Sequence, residues 1–176
     1  MPFTPFHMGP GLAVKALTGR HLSLMVFGFA QVAMDIEPLV RIMRGDAVLH
    51  GLTHTYLGAT LIALASAVLG RPVCQFLLDR WKPDFASDLW NGLRGPPRIA
   101  WRAALCGAFV GTYSHVLLDS LMHSDMAPLA PLSALNGALH AISVENLHLA
   151  CALSALLGGS LMLLAFFCRR RAASGL

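Results

Sequence analysis

Gly111–Asp125, GTYSHVLLDSLMHSD, carries His115, Asp119 and His123 at i, i+4 and i+8 inside an otherwise apolar run. On an α-helix these three stand one above another on a single face, drifting about 40° per step. Ionisable groups on such a face are costly in a core or a bilayer unless each finds a partner. A shared metal ion satisfies imidazole nitrogen and carboxylate oxygen together. The stretch therefore predicts a buried polar site built on a helix.

The surrounding sequence says what that helix is buried in. Of 176 residues, 56% are hydrophobic and 12% charged, about half the charge of an ordinary soluble domain. The uncharged runs Ala47 to Gly70 and Asn146 to Cys168 are each long enough to span about 30 Å of hydrocarbon. Leu22 to Val40 and Ile99 to Met122 are similar runs, interrupted by Asp35 and Glu37 in one and by Arg102 and Asp119 in the other. The expected fold is all-α: a single integral-membrane domain, a polytopic bundle of about four transmembrane helices plus a short N-terminal re-entrant or partial helix.

The net charge of +4 matters less than its placement. Lys15 and Arg20, then Arg71, Arg80, Lys82, Arg94, Arg98 and Arg102, then Arg169, Arg170 and Arg171 fall on one side of an alternating topology. Arg41 and Arg44 alone fall on the other. The positive-inside rule makes the heavily basic side, with the C-terminus, cytoplasmic. The expected location is a bacterial inner membrane, with the bilayer as partner and no nucleic acid. Cys74, Cys106, Cys151 and Cys168 show no CxxC spacing and read as small hydrophobes. The N-terminus lacks the features of a cleaved signal and is expected to be retained.

In chain order, Gly11 to Leu17 is a short helix breaking at Thr18-Gly19-Arg20. A hairpin turning there brings His7 to the depth of Asp35, about 18 and 24 Å from the turn. Pro38 is expected to end or kink the second helix just after Glu37. His50 and His54 form an HxxxH pair ahead of the third, with Thr53 or Thr55 as its cap. A cytoplasmic loop of about 71–98 interleaves Trp81, Phe85 and Trp90 with basic residues, an interfacial pattern. Within an extracytoplasmic loop of about 124–144, the uncharged, proline-bearing stretch Met126 to Ser143 reads as a lid or re-entrant loop, and Ser143 as the cap of the last helix.

This topology, drawn from Lys and Arg alone, gathers His7, Asp35, Glu37, His50, His54, His115 and Asp119 at one membrane face as candidate metal ligands. His123, Asp125, Glu145 and His148 are weaker additions there; His21 and His140 are not assigned to it. Nitrogen and oxygen donors without thiolate suit one or two divalent ions, zinc above manganese or iron. Such a centre activates water toward a phosphodiester or ester, with an unligated carboxylate, Glu37 or Asp35, as base.

The order His7, then Asp35-Ile36-Glu37, then His50-Gly51-Leu52-Thr53-His54, then Ser114-His115-Val116-Leu117-Leu118-Asp119 resembles the YdjM-type family of membrane-bound metal-dependent hydrolases. More remotely it resembles the zinc-dependent phospholipase C and nuclease superfamily. The resemblance implies His7, Asp35, Glu37, His54, His115 and Asp119 as ligands or catalytic carboxylates. Where that family has H-R-G-x-T-H, this chain has Leu49-His50-Gly51 in the first three places. The expected function is membrane-bound hydrolysis of a lipid, lipid-linked or phosphate ester. The rivals are a divalent-cation or proton transporter, which needs polar residues through the inner halves of the helices, and a non-catalytic scaffold.

Overall fold

A computed structural model describes residues 5–81 and 98–174. Among them the regular structure is helical throughout. A 3₁₀ turn at Pro5–His7 leads into α1 (Met8–Thr18), and a second, Gly19–His21, leads into α2 (Leu24–Arg44). A third, Leu52–His54, precedes α3 (Tyr56–Arg80), which contains a π-helical stretch at Ser66–Gly70. Then come α4 (Trp101–Met122) and α5 (Val144–Ser174).

Two of these helices are long and apolar enough to cross a membrane: Tyr56–Arg80 and residues Val144–Ala172 of α5. The expectation of about four spans is met only in that part. Helices α2 and α4 have 21 and 22 residues, about 32 Å at 1.5 Å per residue. Their polar residues, Asp35, Glu37 and Arg41 in one and His115 and Asp119 in the other, take them out of that class.

The turn at Gly19 has φ +54°, which a residue with a Cβ adopts only at a cost. Lys15 Nζ donates to the Leu22 carbonyl at 2.7 Å and ties α1 to the start of α2. Helix α1 packs mainly against α5, α2 against α4, and α4 against α3. Small residues make the α2–α4 approach possible: a Cβ on Gly107 would strike the Ser23 carbonyl. Val26 and Ala30 of α2, Ala63 and Ala67 of α3, and Ala104 and Ala108 of α4 share this buried seam. Nearer the site, Met34, Ala59, Val116 and Met126 form a second apolar cluster.

Two expectations change. Helix α2 runs through Pro38 to a left-handed cap at Gly45; the Met34 carbonyl, which the missing Pro38 N–H leaves without its helical donor, lies 3.5 Å from Thr53 Oγ1. The chain also stays helical through Arg80, so no loop begins at residue 71. Phe85, Trp90 and the basic residues among them lie outside the described residues. Thr55 caps α3, accepting from Gly58 N at 3.0 Å, and Ser143 Oγ accepts from Asn146 N at 3.3 Å.

Candidate metal centre

Five residues from four segments converge at one end of the bundle. His7 comes from the turn before α1, Asp35 from α2, His54 from the turn before α3, and His115 and Asp119 from one face of α4. All five are buried, with His54 and His115 at 1% exposure and the others at 4–6%. His115 Nε2 lies 3.1 Å from Asp119 Oδ2, 3.2 Å from His54 Nε2 and 3.4 Å from Asp35 Oδ1. His54 Nε2 lies 3.4 Å from Asp119 Oδ2. The other carboxylate oxygen of Asp119 faces His7 Nε2 at 3.5 Å and His123 Nε2 at 4.0 Å.

The far side of each ring fixes which nitrogen carries its proton. Gln31 Nε2 donates to the Gly111 carbonyl at 3.1 Å, so its Oε1 faces His115 Nδ1, 2.5 Å away, and that nitrogen must be the donor. Thr53 Oγ1 spends its one hydrogen on Glu37 Oε2 at 2.5 Å, so it accepts from His54 Nδ1 at 2.9 Å. His50 Nδ1 meets Asp125 Oδ1 at 2.8 Å. In the neutral rings all three Nε2 atoms are therefore lone pairs, the arrangement in which an outer hydrogen bond sets a ligating imidazole.

Two lone pairs 3.2 Å apart beside a carboxylate oxygen repel unless a cation lies between them. A proton on His115 Nε2 serves only one of its three neighbours, and a charge-assisted N–H···O bond closes to about 2.7–2.9 Å. Four-coordinate zinc, with bonds of about 2.0–2.1 Å, sets its ligand atoms about 3.3 Å apart. The observed 3.1–3.4 Å separations match the second spacing. His7 adds a further sign: neither of its ring nitrogens has a hydrogen-bond partner among the described residues although the residue is buried. Such groups are rare because each costs roughly 1–3 kcal/mol. These His and Asp groups have the composition and spacing to hold a metal ion.

A family model described as a domain of unknown function, DUF4184, matches residues 1–175. The chain belongs to the DUF4184 family. No curated protein and no solved structure matches it.

The remaining expected residues divide sharply. His50, in irregular chain before the Leu52–His54 turn, belongs to one group with His54 and Asp119 and to another with His123 and Asp125. Asp125 Oδ2 accepts from Leu49 N at 2.8 Å and His50 N at 3.1 Å. Burial alone raises the Asp125 pKa, but the His50 ring and these two backbone donors outweigh it and hold the carboxyl at about 2. Burial lowers the His123 pKa, against the raising influence of Asp119. Glu37 stands outside every such group among the described residues. Its Oε2 accepts from Thr53 N and Oγ1, and its Oε1 accepts from Arg41 at 2.8 and 3.0 Å. Its place is behind His54, where it orients Thr53; a base or ligand needs an uncommitted oxygen. Glu145 is exposed, and the His148 ring stacks on Phe6, 4.7 Å between centroids.

Sequence reading missed Gln31, Thr53 and Arg41, which orient the ligand rings. Gln31 did carry a signal, lying one helical turn before Asp35 on the same face of α2. The segment after α4 folds back over the site: the Pro128 carbonyl accepts from Tyr56 N at 2.9 Å, and Asn136 Nδ2 donates to the Ser120 carbonyl at 2.8 Å.

Proposed function

We propose that this protein is a membrane-bound metal-dependent hydrolase. It would act on a phosphodiester or ester at the extracytoplasmic end of its helices, with zinc the first choice of metal and manganese or iron the alternatives. The observation that carries the reading is the set of Nε2 and carboxylate oxygen atoms of His54, His115, Asp119 and Asp35 at 3.1–3.4 Å. His54, His115 and Asp119 would hold the ion, with His50 and His7 as further nitrogen donors beside them. A bound divalent ion supplies Lewis acidity and lowers the pKa of a water toward neutrality.

The chain's own groups would do the rest. Asp35 lies at the edge of the cluster and also lines the adjoining cavity, which suits a carboxylate that takes the water's proton. Gln31, Thr53 with Glu37, and Asp125 hold the ligand rings, so that little reorganisation is needed at reaction. The resemblance to YdjM-type hydrolases points the same way.

The test is hydrolysis of p-nitrophenyl phosphodiester and carboxylic ester substrates by the detergent-purified protein, with and without added zinc or manganese. Metal-dependent turnover reduced at least about 100-fold in Asp35→Asn, with metal retained, is the expected result. Metal-loaded protein that turns over neither substrate class, or an Asp35→Asn variant with full activity, sinks the reading.

A further inference from the structure

His7, Gln31 and Asp35 do more than surround the metal ligands. They also form one end of a cavity of about 450 Å³, a volume typical of small-molecule sites. Away from that end the wall is apolar: Met8 from α1, then Leu24, Met25, Phe29 and Val32 from α2, and Leu77 from α3. Along α2 the distance from Asp35 to Leu24 is about 16 Å at the helical rise. No lysine or arginine lines it among the described residues.

The cavity opens sideways. Val32 and Leu77, both in its lining, are 49% and 50% exposed, and Leu77 belongs to Tyr56–Arg80, one of the two helices apolar enough to span a bilayer. Val73 and Phe76 beside it are also exposed. A narrow apolar space with polar groups at one end only suits an amphiphile and leaves a water-soluble polyanion unpartnered. Gly28 forms part of the wall, and a Cβ there would make only ordinary contact with the end of Met8. Anything longer than a methyl group at that position enters the cavity.

We infer that the cavity receives the hydrocarbon chain of a single bilayer lipid, entering between α2 and α3, with its ester or phosphoester head at His7 and Asp35. Gly28 keeps the path open. The position of the head rests on the hydrolase reading; that of the chain rests on the cavity.

The experiment uses the whole protein in nanodiscs containing hexadecyl phosphate with a photoactivatable diazirine in its tail, followed by peptide mapping. The expected result is labelling concentrated at 24–32 and 74–77, above that of the outward face of α5 at Leu156, Leu161 and Leu164. Gly28→Leu lowers the cavity labelling about tenfold, because the side chain occupies the path, while metal content is unchanged and Gly28→Ala labels as wild type. Should Gly28→Leu fail to fold, Val32→Trp at the exposed rim makes the same test. Labelling no higher than on α5, or undiminished in a folded Gly28→Leu or Val32→Trp variant, overturns the inference. Wild type that labels in the cavity yet binds no metal removes the hydrolase reading and leaves the chain site standing. Metal-dependent turnover without cavity labelling does the reverse.

Discussion

The inner group, His54, His115, Asp119 and Asp35, and the outer pair, His50 and Asp125, contain the same kinds of side chain a few ångströms apart. The outer pair is a satisfied hydrogen bond: Nδ1 and Oδ1 at 2.8 Å, with the other oxygen of Asp125 held by two backbone N–H groups. In the inner group His115 Nε2 stands 3.1–3.4 Å from Asp119 Oδ2, His54 Nε2 and Asp35 Oδ1, with Nδ1 of His115 and of His54 turned to Gln31 and Thr53. Proximity is common to both. Between His50 and Asp125 the facing atoms are a hydrogen-bonded Nδ1 and oxygen, whereas between His54 and His115 the two Nε2 atoms face each other with their rings' Nδ1 groups turned to Thr53 and Gln31, and that is what marks a place for a cation.

The largest effect expected from this contrast is on stability with and without metal. Binding at about 1,000 times Kd adds about 4 kcal/mol to the folded state. Chelator is therefore expected to lower the melting temperature of the wild type in detergent and to leave that of His115→Ala unmoved. Equal chelator sensitivity in the two would erase the distinction between the groups. Gln31→Leu sharpens it further: the inner ligands remain but the His115 ring loses its acceptor. The expected loss is about 10–100-fold in zinc affinity by competition titration, with the helical content of the wild type.

Glu37→Gln separates orientation from ligation. Weakening its charged hydrogen bonds to Arg41 and Thr53 is expected to cost about 1–3 kcal/mol of thermal stability, with metal stoichiometry kept. A loss of one full equivalent would make Glu37 a ligand after all.

The smallest effect belongs to the outer pair. The folded-state pKa of Asp125, about 2, lies below its ordinary value of 3.8, so its ionised form contributes stability that is present above about pH 4 and lost as pH falls through 2. Asp125→Asn is expected to be about 1–2 kcal/mol less stable at pH 7, and the gap to wild type should narrow in melts taken toward pH 3. A gap that widens on acidification contradicts the assigned donors.

Much of this was legible in the sequence. Helical spacing put His115 and Asp119 on one face, and the basic residues placed His7, Asp35, His50 and His54 at the same end without reference to their chemistry. Three things were not legible. Pro38 read as an end or a kink, and that α2 continues past it to Gly45 is a tertiary outcome. Glu37 read as a ligand or base because its engagement by Thr53 depends on a turn sixteen residues later, although its i,i+4 partner Arg41 lies on the same helix. The roles of Gln31 and Thr53 lie in which oxygen faces which nitrogen, and no spacing encodes that. The count of spans fell short for a related reason: the residues that make α2 and α4 useful to a site are the ones that lower their hydropathy.

The central claim, that the inner atoms surround a metal ion, is tested most directly by plasma mass spectrometry of the detergent-purified protein, beside a His54→Ala, Asp119→Ala double variant and Asp125→Asn. One or two equivalents of zinc, manganese or iron in the wild type and in Asp125→Asn, lost in the double variant, is the predicted result. No metal in the wild type after incubation with zinc or manganese, or metal retained in full by the double variant, would contradict it.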